Sequence, residues 1–218
     1  MRTIRVTGKG QLRVRPDVTR ITLSLEDVCP EYGEALHRSA RDTEQLKTLL
    51  TGFGFERTDL KTLNFRVDTE YESYKEHGAY KQRFLGYKYR HTLKVEFESD
   101  NERLGRVLYA LANSPVSPEF RLSYTVRDPE AAKNELLGKA VTDAQAKAAV
   151  LTKAARVSLK DIQSVDYSWG EIDFEVQPVN RLICTGAAPM LEEGSYDMDI
   201  EPDDVEISDT VTVIWEIA

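Results

Sequence analysis

The side chains best suited to binding lie in one stretch of the sequence, where aromatic rings alternate with positive charges. Six residues of this stretch form a candidate interface: Tyr71, Tyr74, Tyr80, Arg83, Tyr87 and Tyr89. Tyrosine and arginine are enriched where subunits meet, because a ring buries a large area while its hydroxyl group stays hydrogen-bonded. The pattern predicts a surface for self-association. The alternative is that the tyrosines pack against the helices of their own domain.

The same mixture of rings and charges also occurs in nucleic-acid-binding sheets. RNA-recognition domains stack bases on exposed rings of one strand, and Gly86-Tyr87-Lys88-Tyr89 matches their motif only in part. The first strand expected for that module, 21–25, has no aromatic residue. A net charge of -8 also repels phosphate backbones. We therefore predict no nucleic-acid partner and keep RNA binding as a third hypothesis.

Motifs for catalysis and metal binding are missing from the sequence. It contains no Gly-x-Ser-x-Gly elbow, and its histidines, His37, His77 and His91, do not have the spacing of zinc ligands. The acidic segment 192–204 fails the EF-hand pattern, because Pro202 stands where that loop needs glycine. We predict no catalytic residue, no metal and no cofactor, and we favour a protein that is not an enzyme.

Cysteine usage and hydrophobic runs bear on the compartment. Cys29 and Cys184 are the two cysteines, too few for a disulfide framework and typical of free thiols in a reducing environment. The first strand pattern begins at residue 4, which leaves no room for a secretory signal. We predict a cytoplasmic protein, or a periplasmic or secreted one if a signal peptide has been removed. Apolar runs such as 211–214 are far shorter than the roughly 18 residues of a spanning helix, so no membrane-spanning segment is expected.

Periodicity along the chain predicts the elements that position the tyrosines. Apolar residues alternate with polar ones in four segments and recur at helical spacing in two others. In chain order these are strand 18–27, helix 30–53, strands 63–71 and 87–97, a short helix with a capping box at 99–102 and its apolar face at 104–111, and strand 120–126. The two middle strands form a hairpin with a long tip around 76–78. The order is βαββαβ, the ferredoxin-like arrangement, with both helices on one face of a four-stranded sheet.

The remaining elements come from both ends of the chain. They are a strand within 3–14, a helix from Pro129 to about residue 155, and strands 162–169 and 205–217. We therefore predict an α+β protein in which a ferredoxin-like βαββαβ unit, 17–127, is inserted into a second βαββ unit formed by 1–16 and 128–218. Gly8-Lys9-Gly10 interrupts the first strand, which is typical of a bulge or of closely approaching strands.

A long connection before the last strand offers a second hypothesis. Connections such as 175–204 are usually functional or mobile. A cleft between the two domains, near 177–190, would contain Arg181 and Cys184. The alternative function is therefore an enzyme or a small-ligand-binding protein that uses this cleft.

Taken in order, several segments resemble the SIMPL domain family. They are Val6-Thr7-Gly8-Lys9-Gly10, Arg15-Pro16-Asp17, 54–62, Gly86-Tyr87, the alanine-rich third helix and 200–207. The resemblance implies a two-part α/β fold, export to the periplasm or outer membrane in some members, a link to oxidative stress, and a channel-like oligomer in at least one. It implies no enzymatic residues. We expect a non-enzymatic, self-associating protein that acts through protein–protein contacts, with stress response as its context.

Overall fold

The computed structural model of the protein describes residues 2–76, 79–167, 172, 174–177 and 200–218. In chain order the elements are β1 (Arg2–Val14), β2 (Val18–Cys29), α1 (Tyr32–Thr51), β3 (Lys61–Glu76), β4 (Ala79–Glu98), α2 (Asn101–Ala112), β5 (Glu119–Thr125), α3 (Pro129–Ala155), β6 (Leu159–Tyr167) and β7 (Val205–Ile217). Helices and antiparallel strands are arranged around two sheets, which confirms the predicted α+β class. No helix in these described ranges has both the length and the apolar composition needed to cross a bilayer.

The chain divides into two compact units. Of the described residues, unit 1 comprises 2–17, 125–167, 172, 174–176 and 202–218, and unit 2 comprises 18–76, 79–124, 177, 200 and 201. We propose that unit 2 is the inserted domain and that unit 1 is its host.

Unit 2 contains a sheet with the strand order β3-β4-β2-β5, in which β4 is antiparallel to both β2 and β3. Helix α1 links β2 to β3 and α2 links β4 to β5, so each helical connection passes over one strand. The element order matches the expected βαββαβ, while the ferredoxin-like assignment stays a prediction. The core lies on one face of the sheet and includes Ile21, Leu23, Leu93, Val95, Leu46, Leu50, Leu104 and Val107.

Local capping fixes where two helices begin. The Asp128 carboxylate accepts a hydrogen bond from the Ala131 backbone N–H at 2.9 Å, and Pro129 occupies the first helical turn of α3, as expected for this residue pair. The N-cap of α2 is Asp100, whose side chain accepts from the Arg103 backbone N–H at 3.1 Å. Side-chain oxygens in these positions satisfy N–H groups that have no partner inside the helix.

Unit 1 contains a sheet with the order β1-β7-β6, and α3 packs closely on β1. A Cβ atom at Gly8 would lie 2.0 Å from the Ala140 carbonyl oxygen, and one at Gly10 would lie 2.2 Å from the Leu136 carbonyl oxygen. The β1–β7 register runs without interruption from Arg2 to Val14, so these glycines do not mark a bulge. The expectation of a bulge is therefore wrong. The absence of a side chain at these positions makes room for the backbone of α3.

Both units contain the same βαββ element. In unit 2 the segment β2-α1-β3-β4 has the strand order β3-β4-β2, and in unit 1 the segment β1-α3-β6-β7 has the order β6-β7-β1. In each case the first and second strands of the element flank the third.

Candidate functional site

The candidate interface lies at the far end of the β3–β4 hairpin. Strand β2 ends at Cys29, which pairs with Tyr87 of β4. Beyond this point the hairpin continues as a two-stranded ribbon, defined as 71–76 and 79–85, whose pairs run from Tyr71–Phe84 to Glu76–Ala79. At 3.4 Å per residue the ribbon extends the hairpin by about 17 Å.

A glycine positions the base of the ribbon. The strand pairing shifts between Glu70 and Tyr71, and Gly86 on the opposite strand has a φ of 149°. A Cβ atom there would lie 2.3 Å from the Cys29 carbonyl oxygen. The hairpin can therefore pass the end of β2 only because residue 86 has no side chain.

The two faces of the ribbon differ in chemistry. Because side chains alternate along a strand, Tyr71, Tyr80 and Phe84 share one face, which we call the aromatic face. Their exposed fractions are 52%, 80% and 45%. The Tyr71 and Phe84 rings pack edge to face, with their centroids 5.5 Å apart. The same type of contact joins Phe84 to Tyr87 and Tyr87 to Tyr32.

The opposite face carries the ion pair of Arg83 and one tyrosine. Arg83 donates from its guanidinium to Glu72 across the two strands at 2.5 Å. Tyr74 and Lys81 are opposite each other on this face. Tyr74 and Tyr80, both candidate interface residues, therefore point to opposite sides of the ribbon.

The remaining candidates fall in different surroundings. Tyr87 is half-buried against the core of unit 2, and Tyr89 is only 2% exposed, so Tyr89 belongs to the core and not to an exposed surface. Arg181 and Cys184, the candidate cleft residues, lie outside the described residues, as does most of the acidic segment 192–204.

The outward face of the two central strands does not suit base stacking. All residues of β2 and β4 are described, and their rings at 87, 89 and 97 share the helix-facing register. The other face carries ion pairs: Arg20–Glu96 at 2.7 Å, Lys94–Glu96 at 2.9 Å, Lys88–Glu26 at 3.0 Å and Arg90–Glu26 at 2.9 Å. Hydrogen bonds from Lys88 and Arg90 lower the pKa of Glu26. This face has no ring on which a base could stack, which argues against the RNA hypothesis.

A polar cleft in unit 2 was not expected from the sequence. Its volume is about 380 Å³, and it is lined by the end of β2, one side of α1, Tyr89 and the segment 115–119. Six charged residues line it: Glu26, Asp27, Arg38, Arg41, Asp42 and Glu119.

The floor of the cleft is a buried hydrogen bond between β4 and α1. The Tyr89 hydroxyl donates to the Asp42 carboxylate at 2.8 Å, and Asp42 is 9% exposed. Burial raises the pKa of Tyr89, and the carboxylate of Asp42 raises it further. The hydroxyl group is therefore a fixed donor at neutral pH.

Two arginines form the rim above this floor. Arg41 donates to Asp42 from two guanidinium nitrogens at 3.3 Å, and Arg38 contacts Asp27 at 2.6 Å. A sequence signal for this cluster did exist. The buried stripe of α1 is Ala35, Ser39, Asp42, Leu46 and Leu50, and an ionisable residue at helical spacing among small and apolar ones indicates a buried polar partner.

A second polar cluster joins α1 to the hairpin through His91. The hydroxyl oxygens of Ser39 and Thr43 lie 3.2 and 3.1 Å from its Nδ1, and that of Thr62 lies 2.8 Å from its Nε2. Burial lowers the pKa of His91 below 6.5, and the nearby charge of Lys47 lowers it further.

This cluster makes the stability of the fold pH-dependent. Below pH 6.5 the unfolded chain takes up a proton at His91 more readily than the folded chain, so the free energy of unfolding decreases as pH falls. We expect His91→Gln to weaken this dependence in urea denaturation between about pH 7 and about pH 5. The exposed His37→Gln is the control and retains the dependence. An unchanged slope in His91→Gln contradicts the prediction.

Within the described part of the chain, the groups needed for metal or thiol chemistry do not assemble. No three of its histidine, cysteine and acidic side chains gather at one point as metal ligands would. Cys29 is buried, and burial raises the pKa of its thiol, which disfavours the reactive thiolate.

The chain also matches one family of proteins along almost its whole length. The matching family model is SIMPL, described as a protein of unknown function (DUF541), and the match covers residues 4–215. No curated protein matches the chain. The ordered segments singled out in the sequence fall within the matched range, so the chain belongs to the SIMPL family.

Proposed function

We propose that the protein is a self-associating, non-enzymatic binding protein whose copies meet through the aromatic face of the ribbon. The observation that carries this proposal is the exposure of Tyr71, Tyr80 and Phe84 on one side of a two-stranded extension. An isolated hairpin is at best marginally stable in water. A partner that covers its aromatic side would stabilise it, and rings of this kind dominate the energetics of interfaces.

The edge of the sheet beside the aromatic face also favours a second copy. Among the described residues β3 pairs only with β4, and nearly every residue of β3 is exposed. Such an edge presents unpaired backbone groups to another strand. Contact between two copies could therefore combine ring packing with strand pairing at neighbouring positions.

Charge also favours contact between copies at the ribbon. The whole chain carries a net charge of -8, so two copies repel each other over most of their surfaces. The segment 71–85 differs, because it has three basic and two acidic residues: Lys75, Lys81, Arg83, Glu72 and Glu76. The segment that carries the aromatic face therefore does not share the negative charge of the whole chain, which reduces repulsion between copies there.

Two tyrosines on opposite faces of the ribbon provide a matched test. We expect Tyr80→Ser to weaken self-association by about tenfold or more, and Tyr74→Ser to change it by less than about threefold. Both side chains are exposed, so neither substitution removes core packing. Sedimentation velocity over a concentration series measures the association constant, and circular dichroism checks the fold of each variant. A wild-type chain that stays monomeric at about 100 µM, or equal losses in both variants, would overturn the proposal.

A further inference from the structure

The self-association proposed above does not use the cleft of unit 2, because none of the ribbon residues lines this cleft. Its volume of about 380 Å³ lies in the range of sites for small molecules, typically about 300–1,000 Å³. The lining is mostly polar, and its deepest charged group, Asp42, is held in place by Tyr89 and by Arg41. A concave site with convergent, fixed polar groups is the usual form of a ligand site.

Four of the charged residues in the lining form two ion pairs, Arg38–Asp27 and Arg41–Asp42. Arg38 and Arg41 lie three positions apart on α1, which places their side chains on the same side of the helix. Asp27 comes from the end of β2, and Asp42 from the buried stripe of α1. Each arginine contacts one of these carboxylates, and a guanidinium group has five N–H donors in all.

This arrangement selects against ligands of a single charge. A free anion would meet the four carboxylates of the lining, and a free cation would meet its two guanidinium groups. A small zwitterion satisfies both sets, because its negative group can lie between the arginines while its positive group approaches the carboxylates. The volume accommodates such a molecule together with water.

We propose that this cleft binds a free α-amino acid, with its carboxylate held by Arg38 and Arg41 and its ammonium group held by Asp27 and Asp42. The Tyr89 hydroxyl acts as a positioning group, because it donates to Oδ2 of Asp42 while Oδ1 faces Arg41 at the rim. The side chain of the amino acid would extend along Gln45 and the segment 115–119.

The test is a titration of the full chain with each of the twenty L-amino acids, followed by two analogues of the best binder. Isothermal calorimetry should detect at least one amino acid with a dissociation constant below about 1 mM. The N-acetyl analogue lacks the ammonium charge and the matching amine lacks the carboxylate. Each analogue is expected to bind at least about tenfold more weakly, since each loses one charged contact.

Substitutions at the rim separate the cleft from other charged surfaces. We expect Arg38→Gln and Arg41→Gln each to weaken binding by about tenfold or more, with little effect on folding because both side chains are exposed. Arg57→Gln is the matched control. Arg57 pairs with Glu44, which lies on α1 like Arg38 and Arg41, but neither Arg57 nor Glu44 lines the cleft. The proposal is overturned if no amino acid binds at about 10 mM, if either analogue binds as well as its parent, or if Arg57→Gln weakens binding equally.

Discussion

Replacing Gly8 with valine is expected to lower the free energy of unfolding of the protein by more than about 4 kcal/mol, with the loss concentrated in unit 1. A Cβ atom at this position would lie 2.0 Å from the Ala140 carbonyl oxygen, 2.4 Å from the Ala144 backbone nitrogen and 2.7 Å from the Ala144 Cβ. Each of these distances is far shorter than a van der Waals contact. Valine adds two further methyl groups to the same clash, so α3 cannot stay in place.

The contacts around α3 prevent the helix from moving away to relieve this clash. Its small residues Ala140, Ala144 and Ala148 are fully buried against a cluster that includes Val213 and Trp215 of β7. The Asp143 carboxylate, also on α3, accepts a hydrogen bond from the backbone N–H of Lys9 at 2.7 Å. Moving the helix away from β1 would break this bond and open a cavity in the core, and both changes cost free energy.

A glycine within α3 provides the control for this prediction. A Cβ atom at Gly138 meets nothing within 4 Å, so Gly138→Ala is expected to raise stability by about 0.5–1 kcal/mol through helix propensity. Urea denaturation followed by circular dichroism compares the variants. The interpretation fails if Gly8→Val unfolds at the same urea concentration as the wild type, or if Gly138→Ala is as unstable as Gly8→Val.

The substitution Tyr89→Phe is expected to lower the free energy of unfolding by about 2–3 kcal/mol. It removes the hydroxyl group that donates to Asp42 at 2.8 Å, and among the described residues it leaves the buried carboxylate with the longer contacts from Arg41. A buried charged group that loses its hydrogen-bond donor costs more than the bond itself contributes, because the group is not rehydrated. The substitution changes no apolar packing, so the loss measures the polar contact.

A second buried tyrosine in unit 2 is expected to give the opposite result. The Tyr124 hydroxyl group is buried and has no hydrogen-bond partner among the described residues. Tyr124→Phe should therefore leave stability unchanged or raise it by up to about 1 kcal/mol. Urea denaturation at pH 7 compares the two variants directly. If both variants lost the same free energy of unfolding, the Tyr89–Asp42 hydrogen bond would not be what stabilises the fold at Tyr89.

The dependence of the free energy of unfolding on pH above 10.0 tests the same bond independently. Burial and the Asp42 carboxylate raise the pKa of Tyr89 above 10.0 in the folded chain. Above pH 10.0 the unfolded chain loses this proton while the folded chain keeps it, so the free energy of unfolding falls as pH rises. The Tyr89→Phe variant should lack this part of the loss.

Local patterns in the sequence were sufficient to predict most elements and their order. Strand β7 was expected at 205–217 and is observed from Val205 to Ile217, because alternation along a strand depends only on which residues are apolar. Asp128 and Pro129 begin α3 as expected, since capping uses side chains within one turn. The family resemblance also rests on the order of such segments, which the sequence contains in full.

Contacts between distant segments could not be predicted in the same way. Tyr89 and Asp42 are 47 positions apart, and only the packing of α1 on β4 brings the phenol to the carboxylate. The glycines of β1 showed that something approaches closely, but the identity of the approaching element depends on where α3 packs.

For this protein, residue types and their spacing determined the α+β class, the element order and the existence of an exposed aromatic hairpin. Tertiary structure decided which tyrosines are available. Tyr74 and Tyr80 face opposite sides because the pairing register and the shift at Glu70–Tyr71 set the direction of each side chain, and Tyr89 is buried because α1 covers its face. The physical reason is that periodicity follows from local backbone geometry, whereas burial and facing depend on partners brought together only by folding.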